Sequence, residues 1–227
     1  MRAADQLRSA APPPHLKLTL LRNGQPRVEL DGQPLRLSPV RTEILALLST
    51  RSEGMTSEEL AADLYGDAGR PGAVRVQVFR LRRLLGPWVG TAPYRLSMEV
   101  ESDVAQVAGL LATGAVREAA QRYGGPLLPR SEAPGVVRDR DALEAWLRQA
   151  VMTTDDAEAL WAWAQSASGR GDLPAWKRLL ANLDYRDPRR SLAASRVASL
   201  RAAYERRPER TPRPPRPAER SSTSKGT

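Results

Sequence analysis

The chain has 227 residues, enough for one large domain or two small ones with separate cores. Its 35 Lys and Arg against 26 Asp and Glu leave a formal charge of +9, which favours a polyanionic partner, either nucleic acid or an anionic membrane surface. With no cysteine, a disulfide framework and a thiolate metal site are both excluded.

Residues 1–14 end in Ala11-Pro12-Pro13-Pro14 and read as a flexible lead. They hold no apolar run of signal-peptide length, and no later window approaches the roughly 20 apolar residues of a membrane span. A cytoplasmic protein without membrane attachment is expected. His15 to Leu21 alternates apolar and polar residues, as a half-buried strand does. Arg27–Leu30 and Leu35–Leu37 read as two more strands across the Asp31-Gly32 turn signal. A small antiparallel sheet therefore precedes the first helix.

Ser38-Pro39 starts that helix, with a hydroxyl at the cap and Pro where a missing N–H costs nothing. Val40, Ile44, Leu47 and Leu48 share its inner face. Thr56 and Glu59 form a capping box for a short second helix, which Tyr65-Gly66-Asp67 closes. The loop Gly69–Gly72 leads to a third helix, about Ala73 to Leu85, stopped by Gly86-Pro87. Trp88 to Val100 reads as a hairpin, with Tyr94, Leu96, Met98 and Val100 alternating.

From Asp103 the pattern is helical. Val104, Val107 and Leu111 mark one stripe, and Val116, Ala120 and Tyr123 mark the next. An irregular stretch runs to about Gly135. A longer helix carries Leu143, Trp146, Leu147 and Ala150. Thr154 with two Asp behind it starts a helix containing Leu160, Trp161 and Trp163. Asp172 caps one with Trp176, Leu179 and Leu180, and Asp187-Pro188 starts the last, with Ala193, Val197, Leu200 and Tyr204. The Pro-, Arg- and Ser-rich residues 208–227 read as a disordered basic tail. The expected domains are thus 15–102, a winged helix-turn-helix, and 103–207, an all-α unit. The fold class is mainly α with a small sheet.

The third helix carries the functional signal. Val74, Val78, Leu81 and Leu85 fall within a narrow stripe at about 100° per residue. The opposite face carries Val76, Phe79, Arg80 and Arg83, flanked by Arg75 and Arg82 on one side and Gln77 on the other. From Ala68 to Met98 there are six arginines and no carboxylate, whereas elsewhere acid and base are mixed. The positive field is focused on one helix and its hairpin, as a groove-inserting element requires. Arg supplies a fork for guanine or phosphate, Gln can read adenine, and Val can touch a thymine methyl. A solvated Arg face on an ordinary core helix has the same composition. The order of elements (strands, three helices, hairpin) favours the winged-helix plan, in which this helix is the exposed one.

The stretch Val74 to Arg83 (VRVQVFRLRR) resembles the recognition helix of OmpR/PhoB-type winged-helix regulators. Leu37-Ser38-Pro39, Ile44-Leu45, Leu48 and Pro93-Tyr94-Arg95-Leu96 extend the match. The stretch from Val104 through Leu110-Leu111, Gly114, Ala119 and Tyr123 to Pro129 is similar to the start of the bacterial transcriptional activation domain, which is helical and TPR-like. Residues 35–207 resemble the C-terminal half of GAF-domain-containing actinobacterial regulators, Arg130 to Val136 (RSEAPGV) being typical of that group. The resemblance implies base contacts from Val76, Gln77 and Arg80, and backbone contacts from Arg82 and Arg83. Arg75, Phe79, Thr91 and Arg95 complete the candidate DNA-binding set. Phe79 departs from the family, where a polar or basic residue is usual, and Val89-Gly90-Thr91 occupies a wing tip that often carries Arg. Neither a receiver domain nor a GAF domain precedes the winged helix, so no activation by phosphate or ligand within the chain is expected.

The expected function is sequence-specific binding of double-stranded DNA by a transcriptional regulator. RNA polymerase or another regulatory protein is the expected partner of the helical unit, and a homodimer is compatible with it. The alternative is a helical interaction module whose winged helix serves protein contacts. No enzyme, cofactor or metal is expected. His15 stands alone, the carboxylates are scattered, and Gly69-Arg70-Pro71-Gly72 lacks the Lys-Ser/Thr ending of a phosphate loop. Trp146, Trp161, Trp163 and Trp176 read as core, and Trp161 and Trp163 cannot share a helix face.

Overall fold

The computed structural model describes residues 13–22 and 24–206. Most of the expected lead and all of the expected tail lie outside them. Among the described residues, the fold is a winged helix-turn-helix followed by an all-α unit, the class expected from the sequence. No described helix is long and apolar enough to cross a membrane.

Strands β1 (His15–Thr19) and β2 (Arg27–Leu30) pair antiparallel, Leu16 opposite Leu30 and Leu18 opposite Val28. Leu16 and Leu18 point into the core while His15, Lys17 and Thr19 stay half-buried, which is the alternation of the sequence. Asp31 (φ 51°) and Gly32 (φ 78°) both adopt left-handed backbone, the requirement of a two-residue type I′ turn. So tight a turn brings Gln33 opposite Leu30, and β3 is Gln33–Pro34 rather than Leu35–Leu37.

Helix α1 spans Pro39–Ser49 and buries Ile44, Leu45, Leu47 and Leu48. Ser38 occupies its cap, but the hydroxyl accepts from Arg41 Nε at 3.0 Å instead of from the backbone. Helix α2 (Ser57–Tyr65) has its full capping box: Thr56 Oγ1 accepts from the Glu59 N–H, and the Thr56 N–H donates to Glu59 Oε2. Helix α3 is Pro71–Leu85, two residues longer than expected, because Pro71 takes the first helical position.

The expected hairpin is cut short. Val89 bridges Leu96, Gly90 N–H donates to Arg95 O, and Ser97 N–H donates to Trp88 O. The chain then leaves the hairpin, and β4 (Glu99–Ser102) runs parallel to β1, giving a mixed sheet of order β3-β2-β1-β4. Alternation of Met98 and Val100 serves either pairing equally well, since periodicity reports a buried face and not the partner strand.

Helix α4 (Asp103–Ala112) follows β4 directly. The Asp103 carboxylate accepts from the Leu20 and Leu21 N–H groups, each at 2.8 Å, and fastens the start of α4 to the end of β1. Burial, the larger influence, raises its pKa, while these hydrogen bonds oppose the rise. Helices α5 (Val116–Arg122), α6 (Pro134–Thr153), α7 (Ala157–Gln165), α8 (Leu173–Asn182) and α9 (Arg189–Glu205) complete the chain. Asp156, not Thr154, caps α7, accepting from Glu158 and Ala159 N–H, while Asp172 caps α8 through the Ala175 N–H. Trp163 and Trp176 are core, as expected, and Trp161 is half-buried. Trp146 is 44% exposed, one position off the buried Leu143–Leu147–Val151 stripe, and Tyr204 is also exposed.

The buried side chains form one contiguous cluster through the sheet, the first three helices and the later ones. Helix α6 seals the two halves. Val136 is fully buried, and a Cβ on Gly135 would lie 2.6 Å from Asp63 Cβ, so α6 meets α2 at backbone range. Around that contact Arg51 donates to Asp63 (3.2 Å) and Asp139 (3.0 Å), and Arg138 donates to Asp63 (2.9 Å). Arg140 donates to the carbonyls of Leu127, Leu128 and Ser131, holding the irregular stretch against the helix.

Candidate nucleic-acid interface

Helix α3 divides as its sequence dictates. Val74, Val78, Leu81 and Leu85 are buried, each contributing roughly 1.5–3 kcal/mol by leaving water. The opposite face is open: Arg75, Arg80 and Arg83 are exposed, as are Val76 (49%) and Phe79 (64%). Gln77 and Arg82 sit half-buried on the two flanks. Of the expected site residues, Arg75, Val76, Phe79, Arg80 and Arg83 are thus gathered on one surface, with Gln77 and Arg82 at its edges.

Thr91 and Arg95 lie apart from that helix, on the short wing, and both are exposed. The wing is tied down at its base. Tyr94 is buried and exchanges both backbone hydrogen bonds with Met55, at 2.8 and 2.9 Å. Gly54 makes this possible, with φ +83° and a Cβ position only 2.6 Å from the Tyr94 carbonyl. No side chain other than hydrogen would let the wing close on the turn before α2.

The electrostatics of the face are distinctive. Several arginines elsewhere are paired: Arg51 with Asp63 and Asp139, Arg117 with Asp156, Arg138 with Asp63, Arg148 with Asp172, Arg178 with Asp155, and Arg189 with Asp187 and Glu158. Among the described residues, none of Arg70, Arg75, Arg80, Arg82, Arg83 and Arg95 has an ion-pair partner. These are the six arginines of the acid-free stretch. Their charge is available to an external anion, at the N-terminal end of a 15-residue helix, along its face and on the wing.

Exposed Arg70, in the N-cap position of α3, belongs to this surface and was not among the residues expected there. Placing the helix start at Pro71 would have found it. The interhelical anchors Arg51, Asp63, Asp139 and Glu43, which accepts from Ser131 at 2.6 Å, carried no local signal because their partners lie 12 to 88 residues away. Among the described residues no group of His, Asp and Glu gathers where it could hold a metal ion.

Three likenesses bear on the chain. Residues 156–206 match the family model described as the third C-terminal helical domain of YTH3-like proteins. An uncharacterized 47.3 kDa protein of the thcA 5′ region of Rhodococcus erythropolis is 34% identical over 180 residues, 78% of this chain and 41% of that protein. The chain therefore spans about two fifths of the length of this curated relative. Mycobacterium tuberculosis EmbR, solved in complex with a low-affinity phosphopeptide, aligns over 88% of this chain and 62% of its own, with a TM-score of 0.51 and 20% identity. That likeness is one of fold, and it covers the winged helix and the helical unit together.

Proposed function

We propose that the chain is a sequence-specific, double-stranded DNA-binding transcriptional regulator that places α3 in the major groove. The observation that carries this is the exposed α3 face, which lies in a stretch without Asp or Glu and whose arginines lack ion-pair partners among the described residues. Val76, Gln77 and Arg80 face base edges, and Arg82 and Arg83 face the backbone. Arg75, Phe79, Thr91 and Arg95 border the same groove. Residues 15–102 form the reading unit, and 103–207 engage RNA polymerase or another regulatory protein, with homodimerisation as a second role. The OmpR/PhoB-like recognition helix and the activation-domain-like stretch that follows it support this assignment.

The test is selection of bound duplexes from random DNA, followed by affinity against salt. A recovered consensus and a steep fall of log affinity with log salt, as release of several counterions requires, are expected. Equal affinity for all duplexes would remove the sequence-specific part. The exposure of Phe79 favours a second reading, in which the winged helix contacts protein. That reading predicts weak DNA binding with a shallow salt slope.

A further inference from the structure

Val76 and Phe79 stand three residues apart on α3 and are neighbours on its outward face. They are 49% and 64% exposed, so the centre of a strongly basic face is apolar. Arg75, Arg80 and Arg83 surround them, and no carboxylate occurs from Ala68 to Met98. An uncharged apolar protein groove has no use for such a ring of cations, whereas a polyanion with an apolar group at its floor matches both features. In the major groove of DNA that apolar group is the C5-methyl of thymine. Residues three apart on a helix are displaced by about 4.5 Å along its axis, close to the rise of about 3.4 Å between stacked bases. Two side chains so placed can reach neighbouring bases.

We propose that Val76 and Phe79 form an apolar reading surface that selects adjacent thymines by their C5-methyl groups. This rests on the DNA-binding assignment made above. Phe79 is then the residue that sets the base preference of this particular helix, and its ring displaces water from the methyl rather than donating a hydrogen bond.

The experiment uses the full chain and the duplex recovered by selection, with each thymine replaced in turn by deoxyuridine. Uracil pairs identically and lacks only the methyl. The wild type is expected to lose about fourfold in affinity at each of two adjacent positions, the ratio expected for one buried methyl-sized group. Phe79→Ala should bind the thymine and uracil forms of at least one of these positions equally. Its side chain is exposed, so an unchanged circular dichroism spectrum is expected for the variant.

In a further arm, 5-methylcytosine replaces each cytosine and should leave affinity unchanged. A gain there without a loss at uracil would assign the surface to methylated cytosine and overturn the thymine assignment. Indifference to uracil at every position also overturns it, while a retained consensus leaves the DNA-binding function standing. A change of oligomeric state in Phe79→Ala, without a change in the thymine-to-uracil ratio, overturns it in favour of a protein contact. Failure to bind any duplex overturns the function and this inference together.

Discussion

Arg80 and Arg82 are two residues apart on α3 and meet different surroundings. Arg80 is exposed on the open face, while Arg82 is half-buried beside the packed stripe. Arg80→Ala should relax base preference at one position and cost about 1–3 kcal/mol on the selected duplex. Arg82→Ala should weaken all duplexes alike and lower the salt slope by about one. Titration of both variants against a duplex panel at several salt concentrations separates the two roles, and a uniform loss for Arg80→Ala would contradict its base contact. At this scale the sequence was readable, because a stripe of Val74, Val78, Leu81 and Leu85 leaves only one face for the remaining side chains. The pairing of the other arginines was not readable, since Asp63 reaches Arg138 across 75 residues.

Among the later helices, Asp172 is a junction of three. Its carboxylate, 7% exposed, accepts from Arg148 Nε at 2.6 Å, from Trp163 Nε1 at 3.1 Å and from the Ala175 N–H at 3.3 Å, joining α6, α7 and α8. Burial opposes the charge, but Arg148, Trp163 and the backbone donor outweigh it and hold Asp172 below the usual carboxylate range. The pKa falls on folding, so the contribution to stability is complete above the unfolded value of about 3.9 and is lost as pH drops through the folded value. Asp172→Asn should destabilise by about 1–3 kcal/mol at neutral pH, with the difference from wild type shrinking on acidification. Urea denaturation at pH 7 and near pH 3 checks both. Asp172 as a cap was legible from its place before Trp176, Leu179 and Leu180. Its junction with Arg148 and Trp163 was not, because an acid before an apolar run says nothing of which helix will pack beside it. The same limit applies to β4, whose alternation left open whether it would close a hairpin or join β1.

Across the whole molecule, the two halves share one core and meet at atomic contact. Gly135 admits no Cβ without displacing Asp63, and Asp63 is held by both Arg51 and Arg138. Gly135→Ala should therefore pry α6 from α2 and cost about 1–3 kcal/mol, the range for overpacking a tight contact. Thermal unfolding of the wild type should be a single transition, and the variant should show a lower midpoint or a split into two. A variant that melted as the wild type does would show that the contact gives way easily. Packing of this kind depends on residues far apart in sequence, so only the existence of two pattern regions was legible, not their union. β4 runs into α4 with no intervening loop, and Asp103 at that junction ties the start of α4 to the end of β1. Such a junction leaves little room for swivel. A protein engaged by the helical unit would thus be presented at a fixed angle around the duplex, and shifting the bound site by half a helical turn, about five base pairs, would carry it to the opposite face of the DNA.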